Sequence, residues 1–136
     1  MTKQKELEES VRTIIRCAFD AYNELHGGLM ESVYESALVY ELRAKGFQID
    51  CQSELPIYYK GVKLDRVLKT DMVVDKNIIL ELKATDAIEP SHRKQLFTYL
   101  SLSHKPIGIL LNFTNHGRVV FEKYWYDTED NRCHAF

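Results

Sequence analysis

Asp71, Glu81 and Lys83 are the residues whose types and spacing offer chemistry. Residues 78–83 read Ile-Ile-Leu-Glu-Leu-Lys, an apolar run broken only by Glu81 and Lys83. In a strand, residues two apart project from the same face. Glu81 and Lys83 therefore point together, and Leu82 points into the opposite layer. Asp71 lies on the preceding strand-like segment, and the polar link Asp75-Lys76-Asn77 is short enough to make the two segments an antiparallel pair. That pairing brings Asp71 within reach of the same patch. Two carboxylates and an ammonium on a partly buried sheet face are costly unless something compensates them. Mg²⁺ or Mn²⁺, a hard cation that takes oxygen ligands and keeps several waters, compensates the carboxylates. Such an ion supplies a polarised phosphoryl oxygen, an activated water and charge neutralisation, which phosphodiester cleavage needs. Lys83 would orient that water, help deprotonate it, or stabilise the developing negative charge. The bland alternative is a solvated Glu–Lys pair at a strand end.

The elements that must position these groups are a sheet and the helices covering it. Leu7, Val11, Ile14, Ile15, Ala18, Tyr22 and Leu25 recur at three- and four-residue spacing, the apolar stripe of a helix. His26-Gly27-Gly28 ends that helix. Residues 30–44 predict a second helix, apolar almost all round, which implies that it is sandwiched between layers. The period then falls to two. Strands are expected at 47–55, in a hairpin of 57–59 and 62–64 around Lys60-Gly61, and at 67–74 and 78–82. Residues 90–103 predict a third helix, 107–113 a strand buried on both faces, and 118–124 an alternating strand. From about residue 127 the tail is polar and carries no pattern. The order αα-ββββ-α-ββ predicts an α/β domain, a mixed sheet with helices against its faces, over 1–136.

Composition narrows the partners. A net charge of -2 and a pI near 6.2 give no global basic character, so a polyanion partner would need a local basic surface. The cysteines Cys17, Cys51 and Cys133 are odd in number and form no CxxC. The hydrophilic start is unlike a signal peptide, and no apolar run approaches the ~20 residues of a membrane span. A reduced, soluble, cytoplasmic protein without membrane association is expected. His26, His92, His104, His116 and His134 are scattered, with no HxH or HxxxH pair to suggest zinc. His92, three residues before Gln95, faces either the same cleft or solvent. No GxxxxGK[ST] occurs to suggest ATP hydrolysis.

Further candidates flank the central three. Gln95 and Tyr99, four apart on a helix, share a face and can hydrogen-bond a phosphate or base, and Tyr99 can stack. Lys60, Lys63, Arg66 and Lys69 stand against the single acid Asp65, and Arg93 and Lys94 begin the third helix. They form either a track for a phosphate backbone or the lysines that guard a sheet edge. Lys69, two residues before Asp71, shares its strand face. Tyr124-Trp125-Tyr126 suits an interface or a strand end closing the core.

The run Leu-His-Gly-Gly-Leu-Met-Glu-Ser-Val-Tyr-Glu, residues 25–35, spells GxxExxY from Gly28 to Tyr34. It resembles the signature of the bacterial GxxExxY protein family, a branch of the PD-(D/E)XK nuclease superfamily. Tyr58-Tyr59-Lys60-Gly61-Val62 and the order Asp71, Glu81-Leu82-Lys83 match that family too, so the similarity covers about residues 11–113. The resemblance implies a restriction-endonuclease-like fold and a Mg²⁺- or Mn²⁺-dependent nuclease acting on nucleic acid, DNA ahead of RNA. By position it makes Asp71 the first metal carboxylate, Glu81 the second and Lys83 the lysine of the motif. It adds the peptide carbonyl of Leu82 as a ligand, and Glu31 as the acid supplied from a preceding helix. Gln95-Leu96-Phe97-Thr98-Tyr99 resembles the QxxxY motif of RecB-like members. Thr70 stands where the superfamily name has proline. Tyr34 is expected to pack with a hydrogen-bonded hydroxyl, and Gly28 to serve backbone geometry. Two other readings fit the same residues: a non-catalytic nucleic-acid-binding module on this fold, and a structural or interaction protein, such as a homodimer or a small partner of a larger enzyme.

Overall fold

The computed structural model describes residues 2–136, with the elements α1 (Lys3–Leu25), α2 (Glu31–Ala44), β1 (Ile49–Tyr59), β2 (Val62–Val74), β3 (Ile78–Lys83), α3 (Pro90–Ser103), β4 (Ile107–Phe113), β5 (Val119–Asp127) and β6 (Arg132–Ala135). Thr2 caps α1 by accepting from the Lys5 N–H at 3.2 Å. The helix buries Val11, Ile14, Ala18 and Tyr22, the stripe its periodicity predicts. It stops at His26, whose φ of 62° no right-handed helix can continue.

The strands form one six-stranded sheet in the order β1-β2-β3-β4-β5-β6. Every neighbouring pair is antiparallel except β3 and β4, which run parallel with Glu81 opposite Leu110 and Lys83 opposite Asn112. A parallel pair needs a crossover, and α3 supplies it. Alternation along the strands then separates two apolar layers. Met72, Val74, Leu80, Leu82, Leu111 and Phe113 pack with α1 and α2, while Val73, Ile79 and Leu110 pack with Leu96 and Leu100 of α3. Glu81 and Lys83 share the strand parity of Ile79, and Asp71 that of Val73, so all three stand on the α3 face.

The fold class is as expected, a mixed sheet flanked by helices, but three details of the sequence reading need correction. First, β1 and β2 are each continuous, so three strands rather than four precede α3. Pro56 does not end β1, because β1 is an edge strand where a missing N–H is tolerated, and the pairing only shifts register between Pro56 and Tyr58. Second, the polar tail forms β6, giving αα-βββ-α-βββ. A four-residue edge strand of which Cys133 alone packs on the core is too short to show an alternation. Third, α2 is not sandwiched. Tyr34, Leu38 and Leu42 are buried, but Met30 and Tyr40 are 75% and 73% exposed. Its apolar residues exceed what one covered face can bury. Among the described residues no helix is long and apolar enough to cross a membrane.

Gly108 sets how closely α3 lies on the sheet. A Cβ at that position would stand 2.7 Å from Leu96 Cδ1 and 3.0 Å from Leu100 Cδ1, too close without movement. We expect Gly108→Val to push α3 outward and to cost about 1–3 kcal/mol by overpacking. Denaturant unfolding measures this, and an unchanged midpoint would contradict the close approach.

Candidate active site

Four elements converge on the site: the start of α2, the last third of β2, the end of β3 and the exposed flank of α3. The loop before α2 is set by Gly28, whose φ of +87° suits glycine. Tyr34, fully buried, donates its hydroxyl to the His26 carbonyl at 2.6 Å and accepts from the Leu29 N–H at 3.2 Å. Its ring stacks on Phe113, with centroids 4.6 Å apart. Tyr34 thus ties the helix to its own entry loop and fixes where Glu31, the first helical residue, stands. Gly28 and Leu29 line a small pocket of about 210 Å³ with Ala84 and Thr85, so this loop meets the loop that follows Lys83.

The β2–β3 ladder runs from Val74↔Ile78 to Met72↔Leu80. At the next rung the two strands are joined through side chains instead. The Leu82 N–H donates to Asp71 Oδ2 at 2.8 Å, and the Asp71 N–H donates to Glu81 Oε1 at 3.3 Å. A residue's N–H and C=O lie on the same strand edge, so the Leu82 carbonyl also faces the Asp71 side. Glu81 is only 2% exposed, whereas Asp71 and Lys83 are half-buried. Burial first, and the Asp71 charge second, push the Glu81 carboxyl from 4.5 up to about 8; the Asp71 N–H and Lys83 oppose that rise only in part.

Glu31 feels the same centre. Burial and then the Asp71 charge raise its carboxyl above the ordinary value, and Lys83 pulls it down. It stands further off than a shared ligand set requires. Among the described residues, the tight three-membered cluster of His, Cys, Asp or Glu is Asp127, Asp130 and His134 near β6, without Glu31, Asp71 or Glu81.

From α3, Gln95 Nε2 donates to the Tyr99 hydroxyl at 2.9 Å. The Tyr99 hydroxyl is held above its usual value by burial, against the pull of the Gln95 bond, and the Glu81 and Asp71 charges add to the rise. Tyr99 thus stands near enough to the carboxylates to feel their charge, and Gln95 is bonded to it. Lys69 is exposed on β2, two residues before Asp71.

Other candidates are placed elsewhere. Arg93 makes a two-pronged bond to Glu122, at 2.7 Å for each prong, and Tyr124 also donates to Glu122. The guanidinium holds the Glu122 carboxyl below its ordinary range. Arg93 and Lys94 line a groove of about 780 Å³ with Phe97 and Arg132, which does not include Asp71, Glu81 or Lys83. His92 accepts from the Glu89 N–H through Nδ1 at 3.0 Å, so it serves the helix start rather than the cleft.

Asn112 escaped the sequence reading. It is fully buried opposite Lys83, on the α3 face. Its side-chain oxygen accepts from the Thr85 N–H at 3.0 Å, anchoring the loop after Lys83, while its Nδ2 has no partner. The signal was there: Asn112 is the single polar side chain in Ile-Gly-Ile-Leu-Leu-Asn-Phe.

The arrangement fits a hard divalent cation. It offers two carboxylates and a peptide carbonyl, all oxygen donors, and one carboxylate is buried with its charge poorly compensated. A family model described as the PD-(D/E)XK nuclease superfamily matches residues 8–124. No curated protein matches the chain. Among solved structures, the one titled "Crystal structure of SSO0001" is similar, with a TM-score of 0.51 and 23% identity over 68% of this chain. The chain spans 48% of the length of that neighbour, and at this identity the likeness concerns the fold alone.

The raised Glu81 carboxyl has a consequence for stability. Without metal, the folded chain holds this proton more tightly than the unfolded chain, so the group's contribution falls as pH rises from 4.5 to about 8. We expect Glu81→Gln to flatten that part of the pH–stability curve and to stabilise the metal-free protein near neutral pH by on the order of 2 kcal/mol. Thermal melts of both proteins across this range check it. A parallel pH dependence in the two would contradict it.

Proposed function

The chain belongs to the PD-(D/E)XK nuclease superfamily, and on that premise we propose that it hydrolyses phosphodiester bonds in nucleic acid, DNA ahead of RNA, with Mg²⁺ or Mn²⁺. The observation that carries the reading is the side-chain rung at which Asp71 and Glu81 meet beside Leu82. Asp71, Glu81 and the Leu82 carbonyl would hold the cation, with Glu31 reaching it through water. When bound, the cation neutralises phosphate charge and lowers the pKa of an attacking water.

The chain's own residues do the rest. Lys83 projects from the same face as Glu81, where its ammonium orients the water and stabilises charge developing on the phosphoryl oxygens. The Gln95 amide and Tyr99 hydroxyl, already bonded to each other, donate to a phosphate or carry a base against the ring. Asn112 holds the loop after Lys83 and so fixes where the lysine starts. Lys69 meets the backbone next to the scissile bond. Arg93 and Lys94 belong to the flank of α3, where Lys94 alone has an unengaged charge to offer a phosphate further along. Glu31 ahead of Tyr34 and the Gln95–Tyr99 pair support the finer reading of a GxxExxY-type, RecB-like member.

Purified protein is expected to cut single- or double-stranded DNA or RNA only when Mg²⁺ or Mn²⁺ is present. Glu81→Ala and Lys83→Ala should each lower the rate by about 10²-fold or more. Asp71→Ala should lose Mn²⁺ binding in calorimetry while keeping its fold. Absence of cleavage on every substrate with both metals would overturn the proposal. Salt-sensitive binding without cleavage would point to a binding module instead.

A further inference from the structure

The hairpin of β1 and β2 runs far beyond the sheet that it joins. β3 pairs with β2 only from Met72 to Val74, while β1 stays paired with β2 out to Tyr59↔Val62. Leu55 still packs on the α3-side core and Leu68 is buried, but residues 56–67 are exposed except for the half-buried Ile57. The ribbon turns at Lys60 and Gly61, both left-handed, with φ of 50° and 77°. At 3.3 Å per residue, the tip lies roughly 30 Å along the strand from Asp71.

The composition of this arm is unlike that of the chain. Residues 56–67 carry Lys60, Lys63 and Arg66 against Asp65 alone, in a protein whose net charge is -2. Tyr58 and Tyr59 are each 60% exposed, and the Lys60 ammonium lies 5.6 Å over the Tyr59 ring. A projecting tip that concentrates cations and open aromatic rings, on an otherwise acidic domain, is complementary to a polyanion. Its shape narrows the choice. A two-stranded β-ribbon fits the major groove of B-form DNA, whose phosphates line both walls. The same strand continues through Lys69 to Asp71, so a duplex gripped by the tip is led across the carboxylates.

We infer that the β1–β2 arm is a duplex-binding arm that grips double-stranded DNA by a groove and delivers its backbone to Asp71 and Glu81. This deepens the nuclease reading and rests on it for the delivery step, but duplex binding by the arm is measurable without cleavage. Edge-guarding lysines, or a protein partner on the exposed Tyr58, Tyr59 and Val62, are the competing occupants that the test must separate.

The test uses the whole chain in EDTA, with a fluorescent DNA duplex and its single strand, read by anisotropy over a range of salt. The wild type should prefer the duplex. The triple variant Lys60→Ala, Lys63→Ala, Arg66→Ala should lose about tenfold or more in duplex affinity, and its log K against log salt slope should fall by about two to three. Tyr58→Ala with Tyr59→Ala should also weaken binding, and Mn²⁺ calorimetry should show the metal site intact in both variants. Unchanged duplex affinity and slope in the triple variant would overturn the inference. So would wild-type preference for the single strand, or variants that alter self-association in sizing chromatography while binding DNA normally. Failure of cleavage alone would sink the nuclease reading and leave the arm standing.

Discussion

The site depends on two carboxyl groups held together where a β-ladder stops. Asp71 and Glu81 occupy the rung after Met72↔Leu80, and each carboxylate takes a backbone N–H from the neighbouring strand. Those two bonds fix both side chains without any ion. They do not cancel the charge. Glu81 is almost wholly buried, and its carboxyl rises to about 8 because removal from water and a facing carboxylate both favour the neutral form. A protein that holds such a pair rigidly is preorganised for a cation, since the arrangement that is uncomfortable when empty needs little rearrangement to bind one.

The rest of the fold keeps this rung in place and open on one side. The α1/α2 layer closes the opposite face with Leu82, Leu111 and Phe113. On the site's own face α3 packs through Leu96 and Leu100 and leaves Tyr99, with Gln95 bonded to it, near the carboxylates. Gly108 makes that close approach possible. Two anchors then fix the approaches. Tyr34 ties the loop before Glu31, and Asn112 ties the loop after Lys83. Both act at the end of the parallel pair β3 and β4, the end of an α/β sheet at which ligands are generally bound.

Surface charge is distributed to match. Arg93, at the start of α3, is neutralised by Glu122 and serves to bind that helix to β5. Lys60, Lys63, Arg66 and Lys69, along β2 and its turn, make no such pair with an acid among the described residues, and neither do cations elsewhere such as Arg12, Lys45 and Arg118. What sets the β1–β2 turn apart is that Lys60, Lys63 and Arg66 face one acid, Asp65, in a domain with a small negative net charge.

The sequence by itself determined what depends on neighbours close in the chain. Glu81 and Lys83 share a face because a strand repeats every two residues, Gln95 and Tyr99 because a helix brings every fourth residue round, and the Asp75-Lys76-Asn77 link fixes the antiparallel sense of β2 and β3. The αβ class, the helix limits near Pro90 and Ser103, and the buried strand at 107–113 were legible for the same reason. Only the tertiary structure decided the rest. Whether Pro56 broke a strand depended on its lying at the sheet's edge, and whether the tail paired depended on β5 being free to receive it. The exposed side of α2, the pairing of Arg93 with Glu122, and the anchoring of Thr85 by Asn112 all join residues remote in sequence. Periodicity records which face a residue takes, but burial and ion pairing depend on what the folded chain sets against that face.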